Sequence, residues 1–449
     1  MQHVPAPGDL ELAAGEIEVD LNTAVAEYDG YPAVECPAGV MDFPVPPTNT
    51  MGPSKAIDRI IFIVRENKTF DAVFGDLAGV EGDPKYTLKE TSEDMDKVWV
   101  NLRELARTFT NADSFYNVAV QSVQGHQWTT YGRTTDFCER AWSADARPVP
   151  LCGIGAAGRP DSGSLFDWVQ KSGVKYDVMG EIVGTPIKLP SDYNPIDVKY
   201  PGGPFQNIGH PDNEKACHTA GRLRVACDMG QMSFMTLPND HTVGVSPMNP
   251  TPETMCAVND EATGMVIDAL SHSPFWKSSL VVITEDDPQQ GGDHVDYHRT
   301  PLVLVSPWVK RGYVTSTHID MASLYKLFAH ILGLPYPSVQ VAKAGLPLDA
   351  FTSTPDYTPY VHTPKKWPIG CGAAANEIEQ RITRSWDFSY VDAQEGLGEQ
   401  VARWMRKKQL QTLPPDVEAQ VVIREQRMAA GLPPPPEDDD DDDLDFDDD

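Results

Sequence analysis

The sequence has no CxxC pair and only seven cysteines in 449 residues. That excludes a zinc ribbon and a thioredoxin-type redox site, which both need two thiols at that spacing. No apolar run approaches the ~18 residues that a membrane-spanning helix requires. The longest stretches, such as Leu302 to Val305, suit buried strands instead. Positive charge is scarce, with 36 Lys and Arg against 66 Asp and Glu, a formal net charge of −30. Eleven of the last thirteen residues, 437–449, are acidic, so the remainder still carries about −19. A surface of that sign repels a nucleic-acid backbone, which excludes nucleic acid as a principal partner. The N-terminus, Met1-Gln2-His3-Val4-Pro5, lacks the basic region and apolar core of a secretory leader.

What is present is a chain that can bury a large core, with 41% hydrophobic residues. Residues 1–54, rich in Pro, Gly and acids, read as an extended arm, and residues 55–370 as one catalytic domain. In that domain short apolar runs alternate with amphipathic stretches, which predicts an α/β fold, a mixed but mostly parallel sheet with helices on both faces. Strands are expected at Ile57 to Val64, Val174 to Met179, Leu280 to Thr284 and Leu302 to Ser306. Helices are expected at Leu165 to Lys171 and from the N-cap Asp320 to Leu332, with Gly333 closing it. Residues 371–432, with helical stretches at Glu377 to Arg384 and Gly396 to Gln411, read as a helical extension. Residues 433–449, four prolines and an acidic run, cannot pack a core and should be a solvated, disordered tail.

Two predicted strands run straight into acids: Glu66-Asn67 after the first, and Asp286-Asp287 after Glu285. Ligands bind beyond the carboxyl ends of strands in open α/β sheets, and acids gathered there repel unless a cation relieves them. Five of the eleven histidines fall between His272 and His330, two of them in Asp293-His294-Val295-Asp296-Tyr297-His298. Asp240-His241 adds a further acid and imidazole. Oxygen ligands alone suit Mg, Ca or Mn, and added imidazole moves the preference toward Zn, Mn or Fe. The pattern therefore predicts a divalent metal centre. A nucleophile is sought in Gln121-Ser122-Val123-Gln124-Gly125-His126-Gln127-Trp128, since a serine beside divalent ions can attack phosphorus, although composition alone does not show that Ser122 does so.

Ile60-Ile-Phe-Ile-Val-Arg-Glu-Asn-Lys-Thr-Phe-Asp-Ala-Val-Phe-Gly75 resembles the opening motif of the phosphoesterase family that includes bacterial phospholipases C and related acid phosphatases, within the alkaline-phosphatase superfamily. A second stretch is similar to alkaline-phosphatase-type proteins. It runs from Asn239-Asp240-His241 through Ile283-Thr-Glu-Asp-Asp287 and Asp293 to Arg299 into Leu302 to Trp308. The resemblance spans about residues 57–335 and implies the following roles. Glu66 and Asn67 bind metal, Asp286 and Asp287 form the paired metal-ligand position, and Ser122 attacks phosphorus. Asp240 or His241 and His294 or His298 complete the ligand set, with His318 behind them. Ser122 stands three residues before Gly125, where relatives carry Asn, and His126 is expected to replace that Asn as a donor to the substrate phosphate.

The function so implied is metal-dependent hydrolysis of a small-molecule or lipid phosphoester. A sulfatase would need Cys or Ser in a Cys-x-Pro-x-Arg context, which none of the cysteines has. A non-catalytic metal-binding surface protein on the same fold is the alternative. Disulfides, if formed, are expected between Cys138 and Cys152 or between Cys217 and Cys227. With the acidic composition, they would suit a periplasmic or extracellular protein whose leader has been trimmed, the cytoplasm being the alternative.

Overall fold

The segment Arg59–Arg65, Arg-Ile-Ile-Phe-Ile-Val-Arg, is apolar and β-branched through its centre, so a strand formed from it has to be covered on both faces. The computed structural model describes residues 43–145, 160–181, 196–203, 206–243, 250–288, 291–368 and 415–430. In it this segment is the strand β1. The others in chain order are β2 (Thr110–Ala112), β3 (Phe115–Tyr116), β4 (Tyr176–Met179), β5 (Met232–Thr236), β6 (Ser279–Glu285), β7 (Leu302–Val305), β8 (Tyr313–Thr315) and β9 (Ile319–Asp320). Seven of them make one sheet in the order β4-β5-β1-β6-β7-β2-β8, while β3 and β9 pair separately. The neighbours β4, β5, β1 and β6 are all parallel. Only β7 runs against its partners β6 and β2. The protein therefore has an α/β fold with a mixed, mostly parallel central sheet.

Side chains alternate across a strand, so Phe62 and Arg65 of β1 point to opposite faces. The Phe62 ring meets Phe234 at 5.2 Å and Phe328 of the helix Met321–Leu332 at 5.4 Å. On the other face Arg65 reaches Asn259 of the helix Pro252–Ser271, which packs against Val100–Thr108 and Asp212–Gly221. Helices thus cover both faces, as the alternating pattern predicts. The helix Leu165–Lys171 has the predicted limits. Asp320 caps Met321–Leu332 by accepting from the Ser323 N–H, and Gly333 ends it at φ 67°, a left-handed conformation that glycine adopts without steric cost.

Because β4, β5, β1 and β6 are parallel, their carboxyl ends share one edge of the sheet. Glu181 follows β4, Asp240 and His241 follow β5, Glu66 and Asn67 follow β1, and Asp286 and Asp287 follow β6. Cys138 is disulfide-bonded, and Cys152, its expected partner, lies outside the described residues. Cys217 and Cys227 are free, exposed thiols, so the expected bridge between them is not formed. Most of the N-terminal arm, the two helical stretches expected at 377–384 and 396–411, and the acidic tail lie outside the described residues. Of the C-terminal extension the structure describes the helix Pro415–Ala429, on which Val421 is buried.

Candidate metal centre and its serine

The register of β1 against β6 sets Arg65 opposite Glu285, so Glu66 and Asp286 leave the sheet side by side. The Asp286 N–H donates to the Arg65 carbonyl at 2.9 Å. Asn67 then turns the chain at φ 60°, a left-handed conformation that Asn tolerates better than most residues. In that turn its N–H donates to Asp286 Oδ1 at 3.3 Å. Its side-chain Oδ1 accepts a hydrogen bond from Ser122 Oγ at 3.2 Å. Ser122 is the first residue of the helix Ser122–Tyr131 and is fully buried. The helix touches the end of β6 at Gly125, where an added Cβ would lie 2.5 Å from the Asp286 carbonyl oxygen. Packing therefore requires glycine where relatives of the resembled family carry Asn.

His126, the next residue, brings an imidazole into the acids. Its Nε2 stands 3.3 Å from Glu66 Oε1 and 3.6 Å from Asp286 Oδ2, while Nδ1 stands 2.9 Å from Glu181 Oε1. One ligand atom from each of Glu66, His126 and Asp286 lies within 4.8 Å of the others, and all three residues are buried. Gln206 donates to Glu66 Oε1 from the rim. Asp287 is buried beside them, and its charge acts on both Glu66 and Asp286.

Burial pushes the Glu66 carboxyl up, and His126 only partly offsets it. Burial, then the charges of Asp287 and Glu66, hold Asp286 well above the usual carboxylate range. Burial would lower His126, but Glu181 and Glu66 outweigh it and raise the imidazole well above its ordinary value. A protonated imidazole is thus the counter-charge to these acids. A divalent cation would supply the same charge, and carboxylate oxygens with one imidazole nitrogen are a donor set that fits Zn or Mn.

Three of the expected ligands lie outside the Glu66, His126 and Asp286 group. Asp240 Oδ2 is held by the fully buried Arg65 at 2.9 Å, and its Oδ1 accepts from the Glu66 N–H at 3.2 Å and from Asn259 Nδ2 at 3.0 Å. It therefore holds the Glu66 backbone in place. Arg65 also pairs with Glu285 at 3.0 Å. His294 binds Asp71 through Nδ1 at 2.5 Å, in a second group with Asp293. Arg299 already neutralises that group, at 2.8 Å from Asp71 and 3.0 Å from Asp293. His298 is exposed and bonded to Asp296 at 2.8 Å. His298 is thus tied to an acid of its own loop and His294 to one of the helix Phe70–Phe74. His241 remains beside the centre: it is buried, acts on the charge of Glu66, and has Nδ1 2.9 Å from the Thr242 carbonyl. A carbonyl only accepts, so Nδ1 carries the proton. His318 packs its ring on Tyr116 at 4.8 Å.

Sequence reasoning missed Glu181, Lys68 and Arg65. Glu181 could have been found by the signal that marked Glu66, since it follows the predicted strand 174–179 after a single glycine. Lys68 donates to the Asp240 carbonyl at 2.5 Å and is buried, which nothing in its sequence context indicates.

No family model matches the chain. Arylsulfatase K from Rattus norvegicus is 26% identical over 152 residues, 31% of this chain and 27% of that protein. The Homo sapiens arylsulfatase K is 24% identical over 153 residues, 31% of this chain and 28% of that protein. The matched region thus takes in little more than a quarter of these relatives. Among solved structures, an alkaline-phosphatase-superfamily protein from Vibrio parahaemolyticus has a TM-score of 0.41 and 14% identity, covering 68% of this chain and 72% of that one. A phosphonate monoester hydrolase from Silicibacter pomeroyi has a TM-score of 0.36 and 14% identity, covering 62% and 74%. Murine ectonucleotide pyrophosphatase/phosphodiesterase 5 has a TM-score of 0.39 and 10% identity, covering 62% and 96%. No described helix is long and apolar enough to cross a membrane.

Proposed function

We propose that the protein is a metal-dependent hydrolase of the alkaline-phosphatase superfamily that cleaves phosphoesters through Ser122. The observation that carries this reading is the buried Ser122 hydroxyl at the head of a ten-residue helix, 3.2 Å from Asn67, whose neighbours are the Glu66 and Asp286 carboxylates. Glu66, Asn67, Asp286 and Asp287 would hold the metal, with His241 beside them. A divalent ion bound there would supply positive charge to the phosphoryl oxygens and make the serine oxygen a better nucleophile. Asn67 orients Oγ through its Oδ1. The Ser122 oxygen attacks phosphorus, the alcohol leaves with a proton, and water then cleaves the phosphoserine and restores the hydroxyl. The helix N-terminus behind Ser122 directs its positive end toward the transferring group. A phosphomonoester, a phosphodiester and a phospholipid headgroup all present the chemistry this site would act on. The disulfide at Cys138 supports an oxidising, periplasmic or extracellular setting.

The similarity to arylsulfatase K favours sulfate esters as a second reading. Against it, residues 122–126 are Ser-Val-Gln-Gly-His, with Gln and His where the Cys-x-Pro-x-Arg context has Pro and Arg. The test is turnover of metal-loaded protein on a panel of phosphomonoesters, phosphodiesters, phospholipids and aryl sulfates. Phosphoester turnover should fall by several orders of magnitude in Ser122→Ala with metal content unchanged, whereas Glu66→Ala should lose metal and activity together. Retention of more than about a tenth of turnover by Ser122→Ala, on the scale of a lost nucleophile, would refute the assignment. Turnover of sulfates alone would establish the second reading, and metal binding without any turnover would leave a non-catalytic surface protein.

A further inference from the structure

We infer that His126 is itself a ligand of the metal, bound through Nε2, and that the buried Glu181 is the residue that positions it. The inference rests on the metal-dependent reading above and changes the part expected of His126 from the sequence, a donor to substrate phosphate. Both of its ring nitrogens face carboxylates, Nδ1 toward Glu181 and Nε2 toward Glu66 and Asp286.

The spacing argues for a cation among these groups. In a tetrahedral site with bonds of about 2.0–2.1 Å, neighbouring ligand atoms are about 3.3–3.4 Å apart. The separations from Nε2, 3.3 Å to Glu66 Oε1 and 3.6 Å to Asp286 Oδ2, bracket that edge and exceed a normal charge-assisted hydrogen bond. Position follows from the backbone, since Gly125 is pressed against the Asp286 carbonyl and the residue after it has to enter beside that carboxylate.

Glu181 provides the independent observation. It is 1% exposed, and among the described residues neither of its carboxylate oxygens has a hydrogen-bond partner beyond the 2.9 Å contact with His126 Nδ1. A carboxylate facing Nδ1 accepts the proton that nitrogen carries, so a cation can take the place of the proton on Nε2, between that nitrogen and the Glu66 and Asp286 oxygens. A carboxylate holding one nitrogen of an imidazole while the other binds metal is the usual arrangement behind a ligating histidine. Glu181 follows β4, the edge strand of the sheet, and its carboxylate is spent on this one ring. The resulting mixed nitrogen and oxygen set selects a Zn-like or Mn-like ion over Ca, which takes oxygen ligands at longer distances.

The experiment uses the full chain, stripped with chelator and reloaded with Mn2+, with stoichiometry read by elemental analysis and donor type by pulsed electron paramagnetic resonance. Wild type and His241→Ala should show the nitrogen coupling of a bound imidazole, and His126→Ala should lose it. Glu181→Gln should weaken Zn2+ about 10–100-fold by chelator competition, the range for such positioning groups. It should weaken Ca2+ much less, whereas a general structural defect would weaken both alike. Mn2+ bound by wild type without nitrogen coupling, coupling that survives in His126→Ala, or equal losses for Zn2+ and Ca2+ in Glu181→Gln would overturn the inference and leave the proposed function standing. Wild type that binds no divalent ion would overturn both.

Discussion

Alanine in place of Gly125 adds one Cβ to the helix that carries Ser122, and the atom would stand 2.5 Å from the Asp286 carbonyl oxygen and 2.8 Å from its carbon. Both are backbone atoms, so no side-chain rotation relieves the contact. The helix would have to retreat by roughly 1 Å to reach the ordinary contact distance of about 3.5 Å. In an unobstructed helix interior the same change stabilises by about 0.5–1 kcal/mol, because glycine loses more freedom on folding. Overpacking against rigid backbone costs about 1–3 kcal/mol, so the sign should reverse and Gly125→Ala should destabilise by roughly 1 kcal/mol. The retreat also draws Ser122 from Asn67 and His126 from Glu66. A misplacement of that size costs on the order of 100-fold in turnover. Urea unfolding gives the first quantity from the shift in midpoint at constant slope, and kcat/KM on the best phosphoester gives the second. A variant as stable as wild type or more so, with undiminished turnover, would refute the claim that Gly125 is required by contact with Asp286.

Three further outcomes follow from the same geometry. Arg65→Met should cost about 3–5 kcal/mol, the range for breaking a buried ion pair, because Asp240 and Glu285 lose their shared cation; a loss under about 1 kcal/mol by denaturant titration would contradict the role given to that network. Chelator should lower the melting temperature of metal-loaded protein, since free ion at 100 times its Kd stabilises by about 2.7 kcal/mol, and equal melting with and without chelator in a sample shown to be loaded would count against the centre. His294 is raised above its ordinary value, burial opposing and Asp71 and Glu81 prevailing. Its contribution to stability is therefore complete below about pH 6.5 and is lost as pH rises through the raised value. The unfolding midpoint of wild type should fall relative to that of His294→Gln across that window, and parallel profiles would remove the pairing.

Strands were legible where a run was apolar on both faces. The β1, β6 and β7 segments could not be amphipathic helices at that length, and the structure makes all three strands. The helix 321–332 was legible from its ends, because Asp320 and Gly333 supply the groups that the terminal N–H and C=O need. The antiparallel direction of β7 was not, since direction depends on where the chain returns after leaving β6, and nothing within Leu302–Val305 encodes that. The pairing of β3 with β9 was invisible for a simpler reason: two-residue strands carry no periodicity.

Strand-end acids were legible as a pattern, and the parallel alignment of β4, β5, β1 and β6 brings four such ends to one edge. The pattern does not say which way each side chain turns. Asp240 and Glu66 follow strands alike, yet Arg65 lies on the face toward Asn259 and takes the Asp240 carboxylate for itself. The histidines were harder still, because proximity in sequence to acids was read as proximity to the metal. His298 is bound by Asp296 of its own loop, and His294 by Asp71 of the helix Phe70–Phe74. His126 has no acid within nine residues on either side, and the carboxylates that face it come from other strands. A histidine without acids near it in the chain, on a helix that glycine allows to press against a strand end, is brought by the fold to carboxylates of other strands.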